Sequence, residues 1–381
     1  MILFIITSLN KQEKDVFQNK INIYELINHK KEKIYAHSLF SHIHIIHPEL
    51  NTESAVGKFY WAKAYQNYLL INNLGQELLV YDFNGNFIFK TRRGKGPNEI
   101  MHLDDFTIDP NSNEIFVLDG VRKQIIGYDF QGNVKNIIKQ NLRATSIAYI
   151  GRNEFCFHVP YNYYSHNGKH FDYFFISDAK GVTHDSMLIN RGISSTPYVT
   201  RINFISDNGS VFFHPIDCDT IFTITNSQFV GAYIFDYGKF KLPSKYYKST
   251  KEYQKFASDY LQISQILPTS KYIFINYAYK HSKEFALFDV KMNTFKVSDL
   301  KDTEGKNGIM FGTENNFFYL KPRGIYKKNS IIMSGDPADI INYVNNFTND
   351  GKALYNTSID FLKRIEIEDN PIFFIGELSE I

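Results

Sequence analysis

Residues 91–103 carry the densest group of side chains that could contact a polar ligand. The charged or hydrogen-bonding members, within this segment and directly after it, are Arg92, Arg93, Lys95, Glu99, His102 and Asp104. Together they offer the donors and acceptors that a glycan or a peptide requires. A structural interpretation stays open, because Gly94, Gly96 and Pro97 would shape a turn while the charges are simply solvated.

Three arginines in later polar segments extend this candidate set, namely Arg143, Arg191 and Arg201. If these side chains converge, each guanidinium fork can bind two oxygens of a carboxylate or phosphate at once. Tyr198 and the stretch 158–164 add aromatic rings. Exposed rings would stack on sugars, whereas buried rings would pack between strands, and the sequence leaves both interpretations open.

Histidines cluster in the segment 41–47. Alternation along a strand puts His42 and His44 on one face, close enough to share a metal ion, but His47 falls on the opposite face. An outer strand with its polar face in solvent explains this pattern, so no metal site is predicted. Cys156 and Cys218 lack the CxxC spacing of a zinc or redox site and are interpreted as buried free thiols. No cofactor is predicted.

Composition excludes some classes of protein and favours strands. Lys and Arg total 42 against 40 Asp and Glu, with a formal net charge of +2 and no long run of one sign, so a nucleic-acid partner is not expected. The chain has 34 Phe and 26 Tyr, which suit half-buried pleated surfaces. No nucleophile elbow, zinc-protease helix, phosphate loop or EF-hand loop occurs.

The chain opens with an apolar run, residues 1–9, that is too short to span a bilayer. We interpret it as the remnant of a secretory signal, although the basic segment that normally precedes such a run is absent. A first β-strand is the alternative. On the signal interpretation, residues 1–19 are a leader and the rest of the chain lies outside the cytoplasm, in the periplasm or at the cell surface. No later segment reaches transmembrane length, and peripheral attachment to a membrane stays open.

One motif recurs along the chain with a nearly constant period. Asp82 and Gly85 in the clearest copy match Asp129 and Gly132 in the next, and 47 residues separate the two aspartates. Weaker copies are marked by Asp178, Asn226 and Asp289. The longer gap before the last copy coincides with a polar insertion at 242–262, which is predicted to contain a short helix, and a second short helix is predicted at 337–347.

The repeat predicts an all-β fold, because Asn-Gly pairs and short apolar runs around each motif are typical of hairpins. Four short strands in a unit of about 40–50 residues are typical of a β-propeller blade. The predicted blades span 56–90, 102–139, 145–189, 200–236, 262–300 and 309–381 with the N-terminal stretch. We therefore predict that six antiparallel blades form a ring in one domain, residues 20–381. Segments 33–47 and 371–378 are predicted to close this ring, because an open ring would expose strand edges.

The segment Arg93-Gly-Lys-Gly-Pro-Asn-Glu99 resembles the GxGPGE signature of a six-bladed β-propeller family of cell-envelope proteins and lipoproteins from the Bacteroides group. Segments 219–224, 235–243 and 368–374 extend the resemblance from about residue 20 to the C-terminus. The resemblance implies a relative of NHL-repeat propellers that is exported and anchored by lipid. This chain departs from the family in two ways. No cysteine ends the apolar run, and Asn98 stands where glycine is usual, as the least costly substitute if φ is positive.

The expected function is a non-catalytic binding or scaffolding propeller outside the cytoplasm, with a glycan or a protein as ligand. The alternative is a propeller enzyme of the lactonase, lyase or glycosidase type, whose site is built from single residues on separate blades. An enzyme requires acids, histidines or a cation that converge on the axis, whereas a binding protein requires only an exposed aromatic or charged patch. A third hypothesis is a structural partner that docks another chain through 242–262 or 336–352.

Overall fold

The computed structural model of the chain describes residues 20–59, 61–189, 203–207, 210–215, 218–299, 307–327, 329–346 and 362–379. Its strands form six antiparallel sheets of four or five strands arranged in a ring. The fold is a six-bladed β-propeller with few short helices, which confirms the fold predicted from the repeat.

The strands in chain order are β1 Lys20–Ile21, β2 Lys31–Glu32, β3 Phe40–Ile46, β4 Ala62–Tyr65, β5 Tyr68–Asn73, β6 Glu77–Asp82, β7 Phe87–Lys90, β8 Asp105–Asp109, β9 Glu114–Asp119, β10 Gln124–Tyr128, β11 Val134–Lys139, β12 Ser146–Gly151, β13 Glu154–Val159, β14 Ser165–His166, β15 Lys169–His170, β16 Asp172–Asp178, β17 Thr183–Ile189, β18 Ile205–Asp207, β19 Ser210–Phe213, β20 Thr220–Thr225, β21 Gln228–Phe235, β22 Gln262–Pro268, β23 Tyr272–Tyr279, β24 Ser282–Asp289, β25 Thr294–Ser298, β26 Ile309–Gly312, β27 Phe317–Lys327, β28 Ser330–Gly335 and β29 Ile372–Leu378. The α-helices are α1 Ala36–Leu39, α2 Thr250–Phe256 and α3 Pro337–Asn345, and the 3-10 helices are Ile23–Ile27, Gly238–Phe240, Ser244–Lys248 and Ala257–Asp259.

Blades 1 and 2 are β4–β7 and β8–β11, and blade 3 is β12, β13, β16 and β17. Blades 4 and 5 are β18–β21 and β22–β25, with β1 and β2 added in parallel at their outer edges. Burial follows position in the blade: β9 is buried at five consecutive residues, because both of its faces meet neighbouring blades. The outer strand β11 instead alternates between half-buried and exposed side chains.

The recurring aspartate caps the hairpin between the third and fourth strands of a blade. In blade 1, Asp82 Oδ1 accepts hydrogen bonds from two backbone amides of its own turn, both at 2.9 Å. Asp129 and Asp178 do the same in blades 2 and 3. The copy predicted at Asn226 differs, because Asn226 and Ser227 form a tighter turn in which φ is +50° and +56°. The period therefore reflects an aspartate-capped turn that blades 1, 2, 3 and 5 share.

Strands from both ends of the chain close the ring in blade 6. β3 pairs with β29 in antiparallel register from Phe373↔Ile46 to Leu378↔Phe40. The N-terminal closing strand is shorter than the predicted segment 33–47, since residues 36–39 form the helical turn α1. The rest of blade 6 is β28 and the second half of β27, while β26 pairs with the first half of β27. An antiparallel strand at this edge removes the unpaired backbone groups of β29.

The inner strands are β4, β8, β12, β18, β22 and residues 321–327 of β27, and several of them contact one another across blade boundaries. Because successive strands reverse direction, the long connections fall at one end of the ring, which we call the loop face. They include 47–61, 91–104, 140–145, 160–171 and 236–261. The opposite end, the turn face, carries tight turns such as 66–67, 110–113, 152–153, 226–227 and 290–293.

The helices are short, and two of the α-helices begin with a side-chain cap. Ser249 Oγ accepts the Glu252 amide at the start of α2, and Asp336 Oδ1 accepts the Ala338 amide at the start of α3. The apolar side of α3 packs on the core of blade 6 through the buried Ile340. None of the helices in the described ranges has the length and apolar character needed to cross a membrane.

Candidate ligand-binding face

The loop 91–104 is closed by Glu99. Its Oε2 atom accepts a hydrogen bond from the Gly96 amide at 2.7 Å. A Cβ atom at Gly94 would lie 2.0 Å from the same oxygen, so glycine is needed there to make room for the carboxylate. Arg122 of blade 2 donates from Nη1 to the carbonyl oxygens of Gly96 and Glu99, at 2.8 and 3.0 Å. Asn98 does not take a positive φ, so close packing of Glu99, rather than a left-handed turn, explains the motif.

The same loop brings three cations together on the surface. Arg92, Arg93 and Lys95 are exposed, and none of them pairs with another described residue. Their backbone is held rigidly, because the Ile100 amide donates to the Arg92 carbonyl at 2.9 Å. The loop therefore presents three solvated positive charges on a fixed frame.

The two remaining candidates of this segment anchor it to blade 2. Asp104 is buried and its Oδ2 accepts the Gly120 amide at 3.0 Å. His102 is partly exposed, and its Nδ1 lies 3.3 Å from Asp104 Oδ1. The buried Asp119, which the sequence did not single out, accepts the Met101 amide at 2.8 Å. These contacts orient the loop.

Arg143 lies at the loop face between blades 2 and 3. Its guanidinium carbon is 4.1 Å from the centre of the Tyr163 ring. Tyr164 stacks on Tyr173 with ring centres 4.3 Å apart, and Tyr161 is buried. Packing therefore accounts for the tyrosines of the stretch 158–164. Three other candidates lie outside the described residues, namely Arg191, Tyr198 and Arg201.

A buried ion pair joins the inner strands of the first blades. Lys63 Nζ lies 3.6 Å from Asp105 Oδ1, and the same carboxylate accepts hydrogen bonds from Trp61 Nε1 at 3.2 Å and the Ile147 amide at 2.9 Å. Burial raises the pKa of Asp105 and lowers that of Lys63. Because these donors come from blades 1 and 3 and the acceptor from blade 2, the cluster links three blades beside the axis.

Arg323 is the residue that sequence reasoning missed and that most resembles a ligand-binding group. It lies on the inner strand of blade 6, where its Nε donates to Ser334 Oγ at 2.8 Å. Its guanidinium carbon is 4.6 Å from the centre of the Phe59 ring. A charged residue between Pro322 and Gly324 was the only available signal, and it did not reveal where the side chain points.

His42 and His44 are exposed on β3, the outermost strand of blade 6, and His47 directly follows this strand. His44 Nε2 is 3.1 Å from the Phe83 carbonyl oxygen, and His47 is 3.0 Å from Asp369 Oδ2. Within the part of the chain that the structure describes, no three His, Cys, Asp or Glu side chains are grouped so that they could hold a metal ion. Cys156 and Cys218 are free thiols, and burial raises the pKa of both.

Several solved structures resemble this fold. A protein from Bacteroides fragilis that is inferred to be exported superposes on this chain with a TM-score of 0.71 and 16% sequence identity. The superposition covers 95% of this chain and 99% of the Bacteroides fragilis chain. A DUF4221-family member from Bacteroides vulgatus gives a TM-score of 0.43 at 10% identity, covering 91% of this chain and 95% of its own chain. A catalytically inactive virginiamycin B lyase from Staphylococcus aureus gives a TM-score of 0.42 at 11% identity, covering 75% of this chain and 80% of the lyase chain.

The first of these likenesses supports the fold alone, and the other two are too distant to support any argument. No curated protein matches the sequence. One family profile, described as a domain of unknown function, spans residues 18–377 and therefore nearly the whole propeller. The chain belongs to this family, DUF4934.

Proposed function

We propose that this propeller is a non-catalytic binding protein that acts outside the cytoplasm and takes a negatively charged glycan or protein on its loop face. One observation carries the proposal: Arg92, Arg93 and Lys95 are exposed on a loop whose backbone is fixed by Glu99 and Arg122. Because the backbone of this loop is already ordered, only the side chains lose conformational entropy when a ligand binds. The turn face, in contrast, offers mostly short hairpin turns.

The extracytoplasmic assignment is supported by two independent points. The apolar run 1–9 fits a signal remnant. The Bacteroides fragilis relative, which covers the same fold from end to end, is inferred to be exported. A lipid anchor and a kinship with NHL-repeat propellers stay predictions of the family resemblance.

Binding of the purified full chain to arrays of acidic and neutral glycans and of acidic peptides tests the proposal. We expect an acidic ligand to bind, and we expect the triple variant R92Q/R93Q/K95Q to weaken that binding at least about tenfold. The matched control R152Q/K180Q/K291Q removes three exposed cations from the turn face and should leave binding unchanged.

Binding that both triple variants weaken equally would reflect net charge and would contradict the proposal. Turnover of a lactone or a glycoside by the purified chain would favour the enzyme hypothesis instead. In that case the loop variants should affect KM more than kcat, because the cations would contact substrate rather than reacting atoms.

A further inference from the structure

The backbone at Arg323 is irregular in a way that redirects the side chain. In the pairing of β27 with β28, Pro322 is opposite Met333 and Gly324 is opposite Ile332, so Arg323 has no partner residue across the pair. This extra residue is a β-bulge. Bulges commonly re-aim a side chain beside a functional site, and this one is on the strand that contacts the inner strands of blades 1, 4 and 5.

The guanidinium is then fixed in two directions. The bond from Nε to Ser334 Oγ sets the position of the head group, and the Phe59 ring packs against its plane. Phe59 itself belongs to the cluster that packs between blades 6 and 1. Among the described residues, Nη1 and Nη2 of Arg323 donate to no acceptor.

Within the described residues, the charge of Arg323 has no counter-charge. No carboxylate of the described ranges pairs with Arg323, although its side chain is half-buried. Burial lowers the pKa of Arg323, yet an arginine stays protonated at any physiological pH. The contrast with Lys63 is informative, because that buried lysine pairs with Asp105. A partly buried positive charge without a counter-charge is costly, and departures of this kind are found mainly at functional sites.

We infer that Arg323 is the anchor of an oxyanion site at the loop-face end of blade 6, where its two terminal nitrogens bind a carboxylate or phosphate group of the ligand. This inference deepens the proposed function and rests on it for the rest of the ligand. The planar fork of an arginine matches two oxygens of such a group, which a lysine cannot do. Phe59 and Ser334 are positioning residues, because they hold the fork in place.

Thermal unfolding of the full chain in sodium chloride, acetate or phosphate at constant ionic strength tests this site. We expect acetate or phosphate to raise the wild-type midpoint by about 2 °C in a saturable manner. A larger rise with acetate would indicate a carboxylate ligand, and a larger rise with phosphate a phosphorylated one. The variant R323M should lose the rise, whereas the exposed control R152M on the turn face should keep it.

If R323M does not fold, R323K replaces it, since lysine keeps the charge and loses the fork; it should lose most of the rise. In addition, ¹⁵N-arginine labelling follows the wild-type Nε–H signals during an acetate titration. The Arg323 signal should shift and saturate, while that of the exposed turn-face Arg152 changes little. Equal anion dependence in wild type and R323M, or no saturable shift of this signal, would overturn the inference.

The two proposals fail separately. An acidic ligand found on the arrays whose binding is unaffected by R323M would leave the proposed function standing and exclude this site. A saturable anion effect that depends on Arg323, without any array ligand, would support the oxyanion site and contradict the binding function of the exposed loop.

Discussion

Glu99 and Arg122 determine the shape of the loop that carries the exposed cations. Replacing Glu99 by Ala removes the acceptor for the Gly96 amide and leaves a gap beside Gly94. We expect E99A to lower the free energy of unfolding by about 1–2 kcal/mol, the usual cost of a lost charged hydrogen bond. Urea unfolding of the wild type and of E99A measures this difference in the free energy of unfolding.

The control for this prediction is R93A. Arg93 is exposed and pairs with no described residue, so the variant should change stability by less than about 0.5 kcal/mol. Equal effects of E99A and R93A would mean that Glu99 faces solvent rather than closing the loop.

His214 makes stability depend on pH. Burial lowers its pKa to about 4 from the ordinary 6.5, and Nε2 is 2.8 Å from the Cys218 carbonyl oxygen. Between these two values the unfolded chain binds a proton that the folded chain does not bind. Stability contributed by the neutral ring is therefore complete above about pH 6.5 and is lost as the pH falls toward 4.

Unfolding by urea at pH 7 and pH 5 checks this prediction. From pH 7 to pH 5 the wild type should lose up to about 2 kcal/mol through His214. The variant H214Q keeps a donor for Cys218 but cannot be protonated in this range, so its loss should be smaller. An unchanged pH dependence in H214Q would assign the loss to other groups.

At the scale of the element, equivalent glycines in successive hairpins meet different surroundings. Gly132 and Gly181 both follow the capping aspartate and have φ of +86° and +83°. A Cβ atom at Gly132 would lie 2.7 Å from the Phe89 ring of blade 1, whereas nothing lies within 4 Å at Gly181. A side chain in the first turn would therefore meet both an unfavourable left-handed backbone and a close contact with the neighbouring blade.

Replacement by alanine separates these two contributions. G181A should cost about 1 kcal/mol for the left-handed backbone alone. G132A should cost about 2–3 kcal/mol, because Phe89 must also move. Thermal or urea unfolding of both variants measures the difference, and equal costs would show that Phe89 yields without penalty.

The hairpins and the bulge mark the limits of prediction from this sequence. A capped turn depends on residues within five positions of each other, so Asp82 and Gly85 indicate it directly. The bulge at Arg323 depends on which residues of β28 lie opposite, and no local pattern specifies that register. The candidates Arg92, Arg93 and Lys95 could be chosen from the sequence because loops are polar. The inward orientation of the Glu99 side chain could not be predicted, since it depends on the space beside Gly94.

At the scale of the whole molecule, Asp105 holds neighbouring blades together beside the axis. Changing it to Asn leaves Lys63 buried without its counter-charge, and we expect a loss of about 3 kcal/mol. The double variant K63M/D105N removes both charges and should recover at least half of that loss. A double-mutant cycle by urea unfolding measures the coupling; strictly additive losses would contradict a direct interaction.

Closure of the ring by β3 has a consequence for the order in which the chain can fold. The Ser41 hydroxyl on β3 donates a hydrogen bond to the carbonyl oxygen of Glu377 on β29, which lies 336 positions later in the chain. A polypeptide that emerges N-terminus first exposes β3 to solvent until nearly all the rest has appeared. Such a high contact order slows closure of the ring. The propeller should therefore not complete folding, and should need protection from aggregation, until β29 has been synthesised.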